Sequence, residues 1–596
     1  MKIYTSRQEV PVSETWNLTD IYKNEEAWTA DYRLIAEKIE QLKVFAGTID
    51  DGHSLFRYLK LREDVSYLYS KVYAYAQLQL DIDTRVATSQ AFVDQTRQLG
   101  QKISSATSFF MPFLLSLSEK ILQKYIHEVK ELTYFEDDLL EAYRYKEHVL
   151  SKEKEEVLSE MGEALSSPAA TFGMINNADI QFGEVTDENG QKISLTRGLY
   201  AKLIEHEDRE KRKEAYKAYY KPYIQLQNTI ASTLSSSIKN NVRLSSIRNY
   251  PSALEKSLFT DMVPKEVYEN LIQSTKKHIE PLHRYTNIRK KRMGLTELCA
   301  FDLNVPLVQG MKQVISYEEA YNIMLDSLLP LGEEYVQTLQ SFKEKRYIDV
   351  RETPGKRSGA YNFGLYGVHP FVLLNHRDDL DSLFTLTHEM GHAMHSYYSS
   401  TYQPRIKAGY SIFVAEVAST VNEVLLIRYL LNQTNEERMK THLLNHFIDQ
   451  FKGTFFTQVM FAEFEKITHE KAESGEALNA SVFNTIYESL YREYNGDSIH
   501  FDEEVQYGWA RIPHFYRPFY VYKYATGFAS AIHIADKLLE GDEEMLRSYL
   551  TFLKSGSSDY PLVLLQQAGV DLSKPEPIQT TLTMFGDLVD TFAKMQ

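Results

Sequence analysis

The residues best suited to chemistry lie in the stretch "FTLTHEMGHAMHSYY", residues 384–398. This stretch has no proline and only one glycine, Gly391, so it is predicted to be helical. His388 and His392 are four positions apart, so both imidazoles leave the same helix face and can reach one zinc ion. Glu389 points about 100° around the helix, which suits it to take a proton from water rather than to bind the ion. This His-Glu-x-x-His spacing is typical of zinc proteases.

His395 lies on the same face as the first two histidines, three residues beyond His392. It is about 10 Å along the helix axis from His388, so a straight helix cannot bring all three imidazoles to one ion. Only the pair His388 and His392 leaves a glutamate beside the first ligand. His395 is therefore interpreted as a group that supports a ligand, packs in the core or lines a substrate channel.

A third ligand must come from another element, because catalytic zinc keeps three protein ligands and one open position. The stretch "SIFVAEVASTVNEVLLIRYLL", residues 411–431, is predicted to be an apolar helix that carries two carboxylates, Glu416 and Glu423. A charged side chain on such a helix is costly unless it is paired or bound to a metal. Glu416 has the more apolar surroundings and is the predicted third ligand. Glu423 either orients a ligating histidine or forms a buried salt bridge.

Most of the chain is predicted to be helical, because apolar residues recur at three and four positions and prolines are few. The clearest helical runs are residues 25–47, 65–83 and 208–247. Strands are predicted in a hairpin at residues 180–195, around Asn189 and Gly190, and in the glycine-rich region 359–375, where "FVLLN" is a short strand. The main division is placed near the hairpin, which gives an N-terminal helical domain over 1–185 and a catalytic domain over 186–596.

Composition narrows the class of protein. The net charge of −16 argues against nucleic acid as a partner, since phosphate binding needs clustered lysine and arginine. A lone cysteine, Cys299, excludes an intramolecular disulfide. No apolar run of about 18 residues and no signal peptide are found, so no membrane association is expected and a cytoplasmic location is predicted. The sequence does not indicate an oligomeric state.

Several stretches resemble the oligoendopeptidase F branch of the thimet/neurolysin-type zinc metallopeptidases. They are "KRSGAYNFGLYGVHPFVLLNHRDDLDSLFTLTHEMGHAMHSYYS", "FVAEVASTVNE", "WNLTDIYKNEEAW", "DREKRKEAYKAYYKPY", "SALEKSLFTDMVPKEVYENLI" and "IPHFYRPFYVYKYATG". The resemblance implies that His388, His392 and Glu416 hold one Zn²⁺ per chain and that Glu389 is the general base. It also implies a mainly α fold of two helical lobes enclosing a deep substrate channel, with a small β region next to the zinc helix. The implied substrates are short, unstructured peptides.

The expected reaction is hydrolysis of an internal peptide bond, whose tetrahedral intermediate needs an oxyanion donor besides the metal. The stretch 513–527, "PHFYRPFYVYKYATG", supplies aromatic candidates. By the resemblance, Tyr522 is the expected donor, His514 is the next candidate and Tyr520 is expected to contact substrate. Packing in the aromatic core is the alternative role for each tyrosine.

The stretch "GVHPFVLLN", residues 367–375, is a candidate for holding an extended peptide if it forms an exposed sheet edge. Gly364 would allow close approach of substrate, and a turn-rich connection is the alternative.

Two rival functions remain open. One is a metallocarboxypeptidase, in which Arg511 or Arg517 would capture the terminal carboxylate. The other is a peptide-binding protein with a structural metal, which Glu389 argues against because a structural site needs no base.

Overall fold

The computed structural model describes residues 4–187, 190–308 and 313–595. The chain forms two compact units, each assembled from three stretches of sequence. Unit 1 contains Met1–Lys152, Gln313–Tyr410 and Leu546–Asp559, and unit 2 contains Glu153–Lys312, Ser411–Met545 and Tyr560–Gln596. The two units are defined by how compactly the chain folds, and each contains separate stretches of sequence. They therefore do not test the predicted boundary between residues 185 and 186, which divides the chain into two continuous domains and stays a prediction.

Helices make up most of both units. In chain order they are α1 (Glu25–Val44), α2 (Gly52–Ile82), α3 (Ala87–Thr107), α4 (Phe110–Ser116), α5 (Glu119–Glu128), α6 (Glu136–Arg144), α7 (Lys152–Glu160), α8 (Gly162–Met174), α9 (Arg197–Leu203), α10 (Arg209–Gln225), α11 (Gln227–Ile247), α12 (Ala253–Phe259), α13 (Lys265–Lys277), α14 (Glu280–Arg292), α15 (Tyr317–Ser327), α16 (Glu333–Glu344), α17 (Leu380–Tyr402), α18 (Ile412–Gln433), α19 (Glu437–Gln450), α20 (Thr457–Glu473), α21 (Ala480–Asn495), α22 (Tyr522–Leu539), α23 (Glu543–Lys554), α24 (Pro561–Gln567) and α25 (Glu576–Lys594). The strands are β1 (Glu184–Thr186), β2 (Lys192–Ser194), β3 (Leu298–Cys299), β4 (Ile348–Arg351), β5 (Tyr361–Phe363), β6 (Phe371–His376) and β7 (Ile499–His500).

The mainly α fold predicted from the apolar spacing is confirmed. The hairpin is also confirmed, since β1 and β2 pair antiparallel with Val185 opposite Ile193. Of its predicted turn pair, Asn189 lies outside the described residues. The helical run 208–247 is divided into α10 and α11 at Leu226, whose ψ of 10° leaves the helical range. Among the described residues, no helix has the length and apolar character needed to span a membrane.

Unit 1 is built around α1, α2 and α3, whose apolar faces pack together over a core that also includes Phe371 and Leu373 of the sheet. The sheet has the order β4-β6-β5, with β4 parallel and β5 antiparallel to β6. Four consecutive residues at the start of β6 are buried, as expected for a strand covered on both faces. Helix α17 packs against β6 and β5, which places the predicted small β region next to the helix with the histidines.

Unit 2 is organised around two long helices, α18 and α22, which pack closely against each other. Small residues of α22, including Ala525, Gly527 and Ala529, are buried and allow this close packing. Helices α20 and α25 also pack on α22. The irregular stretch between α21 and α22 contains the 3-10 turns Glu503–Arg511 and Pro513–Tyr516, which lead into the first residue of α22, Tyr522.

Candidate metal and catalytic site

Helix α17 supplies two imidazoles whose separation suits a shared metal ion. Asp379 caps the helix by accepting a hydrogen bond from the backbone of Ser382. One turn apart, His388 and His392 are half-buried, and their Nε2 atoms lie 3.1 Å from each other. Two ligands at the usual zinc–nitrogen distance in a tetrahedral arrangement are about 3.3 Å apart. The observed separation therefore fits two ligands of one zinc ion.

Glu416 completes a set of three donors. It lies on α18, and its carboxylate oxygen and one ring nitrogen from each of His388 and His392 all fall within 4.8 Å of one another. Two imidazoles and one carboxylate are a donor set found in catalytic zinc sites, and three protein ligands leave a fourth position for water or substrate. The chemistry of these residues thus fits a zinc ion.

Glu389 follows the first histidine and is buried, with 7% of its surface exposed. Its neighbours on α17, Met390 and Gly391, are also buried. This placement suits a general base next to the donor set.

His395 packs in the core of unit 1, so of the roles left open for it the packing role is the one that the structure supports. Its ring stacks on Tyr410 with centroids 3.8 Å apart and also contacts Phe552. Only 1% of the residue is exposed, and burial lowers the pKa of its imidazole to about 3. A histidine that resists protonation to this degree stays neutral at physiological pH.

The edge of the three-stranded sheet differs from the prediction. The stretch "GVHPFVLLN" contains β6, which is paired on both sides and therefore offers no free edge. This expectation was wrong, because β5 pairs with β6 and takes the edge position on that side. On β5, Asn362 donates hydrogen bonds from Nδ2 to the hydroxyl of Ser396 at 2.9 Å and to the carbonyl of His392 at 3.4 Å. The edge strand is thereby attached directly to the turn of α17 that carries His392.

Gly364 follows β5 at a point of close approach. A β-carbon placed on it would lie 2.8 Å from the Ser396 hydroxyl, so only glycine fits without displacement. Gly364 and Ser396 line a cavity of about 580 Å³ in unit 1, together with Arg405 and Tyr410. The glycine therefore shapes this cavity, and contact with substrate remains a prediction.

Three aromatic residues of the stretch 513–527 form a cluster in unit 2, which we call the aromatic cluster: His514, Tyr520 and Tyr524. The His514 and Tyr520 rings are nearly parallel with centroids 6.1 Å apart, and Tyr524 stands edge-on to both, at 6.2 Å from His514 and 5.5 Å from Tyr520. Burial and the nearby charge of Arg517 lower the pKa of His514, which keeps this imidazole neutral at physiological pH.

Tyr522, the expected first donor, is directed into the core instead. Its ring contacts Tyr268 and Phe413, only 1% of the residue is exposed, and burial raises its pKa well above the ordinary value. Among the described residues its hydroxyl has no hydrogen-bond partner. The alternative of core packing, which applied to every tyrosine of this stretch, describes the position of Tyr522.

Tyr524 lies within the electrostatic range of the Glu416 carboxylate. Gly527, three residues further along α22, is so near α18 that a β-carbon on it would lie 3.6 Å from the β-carbon of Glu416. The pKa of Tyr524 is raised by burial first, then by Tyr520 and by the negative charge of Glu416. The helical spacing within α22 places Tyr522 and Tyr524 on different faces, about 200° apart, which sequence reasoning did not use to choose between them.

A buried glutamate fixes the turn within this segment. Phe519 has a φ of 55°, a left-handed conformation that is unfavourable for a bulky residue. Its backbone N–H donates a 2.9 Å hydrogen bond to Glu465 of α20. Glu465 is 1% exposed, and burial raises the pKa of its carboxyl well above the ordinary range. This hydrogen bond holds the turn between His514 and Tyr520, and no sequence signal pointed to Glu465.

The two arginines considered for capture of a terminal carboxylate lie in different surroundings. The Nε of Arg511 donates to the Tyr220 hydroxyl at 3.0 Å. Arg517 is exposed, and its guanidinium lies 4.5 Å from the centroid of the Tyr520 ring.

Glu423, one of the two carboxylates of α18, accepts a 2.8 Å hydrogen bond from Nε2 of Gln450.

Comparison with known proteins adds a family context. The sequence profile of Peptidase family M3 matches residues 202–584, and that of Oligopeptidase F matches residues 114–182. The chain is 41% identical over 590 residues to Oligopeptidase PepF of Bacillus subtilis (strain 168), covering 99% of this chain and 88% of that protein. A crystal structure of oligoendopeptidase-F from Enterococcus faecium is 33% identical with a TM-score of 0.76, covering 96% of this chain and 99% of that one. A crystal structure from Chlamydophila abortus, also 33% identical, has a TM-score of 0.92 and covers 99% of this chain and 100% of that one.

Proposed function

This chain belongs to Peptidase family M3, and we propose that it is a zinc-dependent oligoendopeptidase that hydrolyses internal bonds of short, unstructured peptides. The observation that carries the proposal is the convergence of His388, His392 and Glu416 within 4.8 Å, with Glu389 directly after the first histidine. A family model alone supports a peptidase; this donor set supports the metal-dependent chemistry.

The metal would be held by the two imidazoles of α17 and the carboxylate of Glu416. A zinc ion held there supplies Lewis acidity to the scissile carbonyl and to the attacking water. Nitrogen and oxygen donors at the observed separations favour zinc, and three ligands leave room for substrate.

Glu389 is the proposed general base. Its carboxylate would take a proton from the attacking water and then deliver that proton to the amine nitrogen as the peptide bond breaks. Because only 7% of the residue is exposed, bulk water has little access to its carboxylate. Its position directly after His388 holds it beside the donor set.

The aromatic cluster is the proposed source of oxyanion donors. We assign the first role to Tyr524, because its hydroxyl lies in the electrostatic range of Glu416, and the second to Tyr520. Burial raises the pKa of Tyr524, so its hydroxyl stays protonated at physiological pH and can donate to the carbonyl oxygen as negative charge develops on it. His514 stacks against Tyr520 and would orient it.

Substrate backbone is proposed to pair with β5. The strand lies at the sheet edge and is joined through Asn362 to the turn that carries His392, so an added strand would run past the metal-binding turn. The cavity beside Gly364 would receive a side chain of the peptide, since a cavity of about 580 Å³ has room for one. An extended strand is the conformation that short, unstructured peptides adopt most readily at a sheet edge.

The proposal is tested with a fluorogenic peptide of about ten residues blocked at both ends. The wild-type chain is expected to cut it internally, to lose that activity in a chelator and to recover it when zinc is added. Glu416→Gln is expected to bind zinc far more weakly, measured by metal content after dialysis, because one of three ligands is weakened. Cleavage that persists after complete metal removal would contradict the proposal.

The same peptide separates the proposed activity from a carboxypeptidase. Arg517 is exposed beside Tyr520, which keeps terminal carboxylate capture as the second candidate function. A carboxypeptidase would leave the doubly blocked peptide intact and shorten its counterpart with a free C-terminus, one residue at a time. Mass spectrometry of the products distinguishes the two outcomes.

A further inference from the structure

We propose that unit 2 contains an internal binding site for a small oxyanion, a carboxylate or a phosphate, in a cavity lined by Arg511 and Lys452. The cavity has a volume of about 170 Å³ and is separate from the groups assigned to catalysis. Six tyrosines also line it: Tyr200, Tyr216, Tyr220, Tyr487, Tyr491 and Tyr494. The proposal does not depend on the metal chemistry above.

The two cations that line this cavity lack an acidic partner at close range. Lys452 donates from Nζ to the carbonyl of Leu303 at 3.1 Å, and Arg511 donates from Nε to Tyr220. Within the described part of the chain, neither forms an ion pair with a carboxylate within 4.0 Å. Asp449 is the acid whose charge acts on the pKa of Lys452. Its carboxylate accepts hydrogen bonds from Tyr285 and Asn445.

A buried lysine in unit 1 shows how this chain neutralises such a charge when the role is structural. Lys356 in unit 1 contacts the Asp349 carboxylate at 2.7 Å and donates to the carbonyls of Asp349, Arg351 and Leu374. Its ammonium is therefore paired and fully hydrogen-bonded, as a buried charge requires. Lys452 has one carbonyl partner and faces a cavity instead.

The electrostatics of the cavity favour an anion. Burial and the charge of Arg289 lower the pKa of Lys452 to about 8, so its charged form is destabilised in the structure as described. Burial raises the pKa of Tyr487 and Tyr491, so these hydroxyls stay protonated and supply donors rather than negative charge. An anion in the cavity would stabilise the charged form of Lys452 and accept hydrogen bonds from the tyrosines.

Size and donor number select the class of anion. A cavity of about 150 Å³ holds a ligand the size of benzene, so 170 Å³ holds an anion of about five to eight non-hydrogen atoms. Guanidinium, ammonium and phenol groups all line the cavity, and this number of donors suits an anion with several oxygens better than a spherical ion. Inorganic phosphate and a small carboxylate such as succinate both meet these requirements.

Binding is measured on the full chain by isothermal titration calorimetry and thermal unfolding, with phosphate, succinate and chloride as separate probes. The sulfonate HEPES is used as the buffer and maintains the ionic strength. It is chosen because it is too large to enter the cavity and therefore does not compete with the probes. We expect phosphate or succinate to bind with a stoichiometry of one and to raise the unfolding temperature. Binding of phosphate alone or of succinate alone identifies the source of the oxyanion.

Lys452→Met removes the charge and keeps the length of the side chain, and it is expected to weaken binding by about tenfold or more. The control Lys574→Met removes an exposed lysine of the same unit, 66% exposed, and is expected to bind as the wild type does. If Lys452→Met does not fold, Tyr491→Phe replaces it, with an expected loss of about threefold or more.

Three results would overturn the proposal. The first is that neither phosphate nor succinate binds the wild-type chain. The second is undiminished affinity in the folded cavity variant. The third is chloride binding as tightly as the oxyanions, which would reject the assignment to an anion with several oxygens.

Discussion

Helix α17 and the segment 513–527 both carry candidate catalytic groups, but they position them in opposite ways. On α17, His388, Glu389 and His392 lie within one turn of a regular helix that is capped at Asp379 and packed on the sheet. In segment 513–527, the candidates are separated by a 3-10 turn, a left-handed residue at Phe519 and the first turn of α22.

The difference shows which geometry is local and which depends on the fold. The backbone of one helix places the two histidines on the same face one turn apart, so a 3.1 Å approach of their Nε2 atoms needs only a suitable choice of rotamers. The aromatic cluster depends on the turn at Phe519, which is held by Glu465 from another helix. A change on α17 should therefore act on the chemistry directly, whereas a change in the segment can act through its supporting contacts.

The largest effect on activity is expected from a change on helix α17, where the geometry is local. Glu389→Gln removes the base while leaving both imidazoles in place, so kcat should fall by about 10²- to 10⁴-fold with zinc content unchanged. Asp381→Asn, an exposed acid on the first turn of α17, is the matched control and should retain activity. Measured turnover of Glu389→Gln near the wild-type rate would reject its role as base.

The next effect separates two tyrosines on different faces of α22. Tyr524→Phe should lower kcat by about 10²-fold, because a donor to the developing oxyanion is lost, with little change in KM. Tyr522→Phe should leave kcat nearly unchanged, since its hydroxyl is directed into the core. Steady-state kinetics on the doubly blocked peptide compares them. The reverse order would restore Tyr522 as the donor and remove Tyr524.

A smaller effect tests whether the turn at Phe519 depends on its buried acceptor. Glu465→Leu removes the acceptor of the Phe519 N–H and should destabilise the chain by about 1–3 kcal/mol and reduce kcat. Glu465→Gln keeps an acceptor oxygen and should behave nearly as wild type, because burial already keeps this carboxyl protonated. Urea unfolding and kinetics are measured together. Equal effects of the two changes would show that the hydrogen bond to Phe519 is not what matters.

The smallest effect on activity is expected at His395. His395→Phe preserves an aromatic ring against Tyr410 and should leave zinc content and kcat close to wild type. The folded pKa of about 3 lies below the ordinary value of 6.5, so the unfolded state takes up a proton first as the pH falls. The wild-type chain thus loses stability below pH 6.5, by up to about 1.4 kcal/mol per pH unit, and the variant should lose less.

Urea unfolding at pH 7 and pH 5 measures this difference. Between these values the variant should lose about 2 kcal/mol less than the wild type, because one buried imidazole no longer opposes protonation. An identical pH dependence in both chains would mean that His395 does not titrate as its burial implies. A large loss of zinc would show instead that His395 supports the metal site.

Much of the local structure could be predicted from the sequence. The apolar spacing gave α1, α2, α17 and α18 within a few residues at most ends, apart from the earlier start of α2. The stretch "FVLLN" is recognisable as a strand from its sequence. Which strands pair with it on either side could not be predicted, because that pairing joins segments that are distant in the chain. The division of 208–247 at Leu226 was also missed, although Pro222, four residues earlier, is a helix-disrupting residue inside α10.

The sequence by itself determined the helical class and the pairing of His388 with His392, because both follow from the 3.6-residue period of a helix. It pointed to Glu416 by the cost of a charge on an apolar helix. Only the tertiary structure decided which tyrosine faces Glu416, where the sheet has its edge and which buried cation lacks a carboxylate. Those features join residues far apart in the chain, and no spacing rule relates positions that meet only through packing.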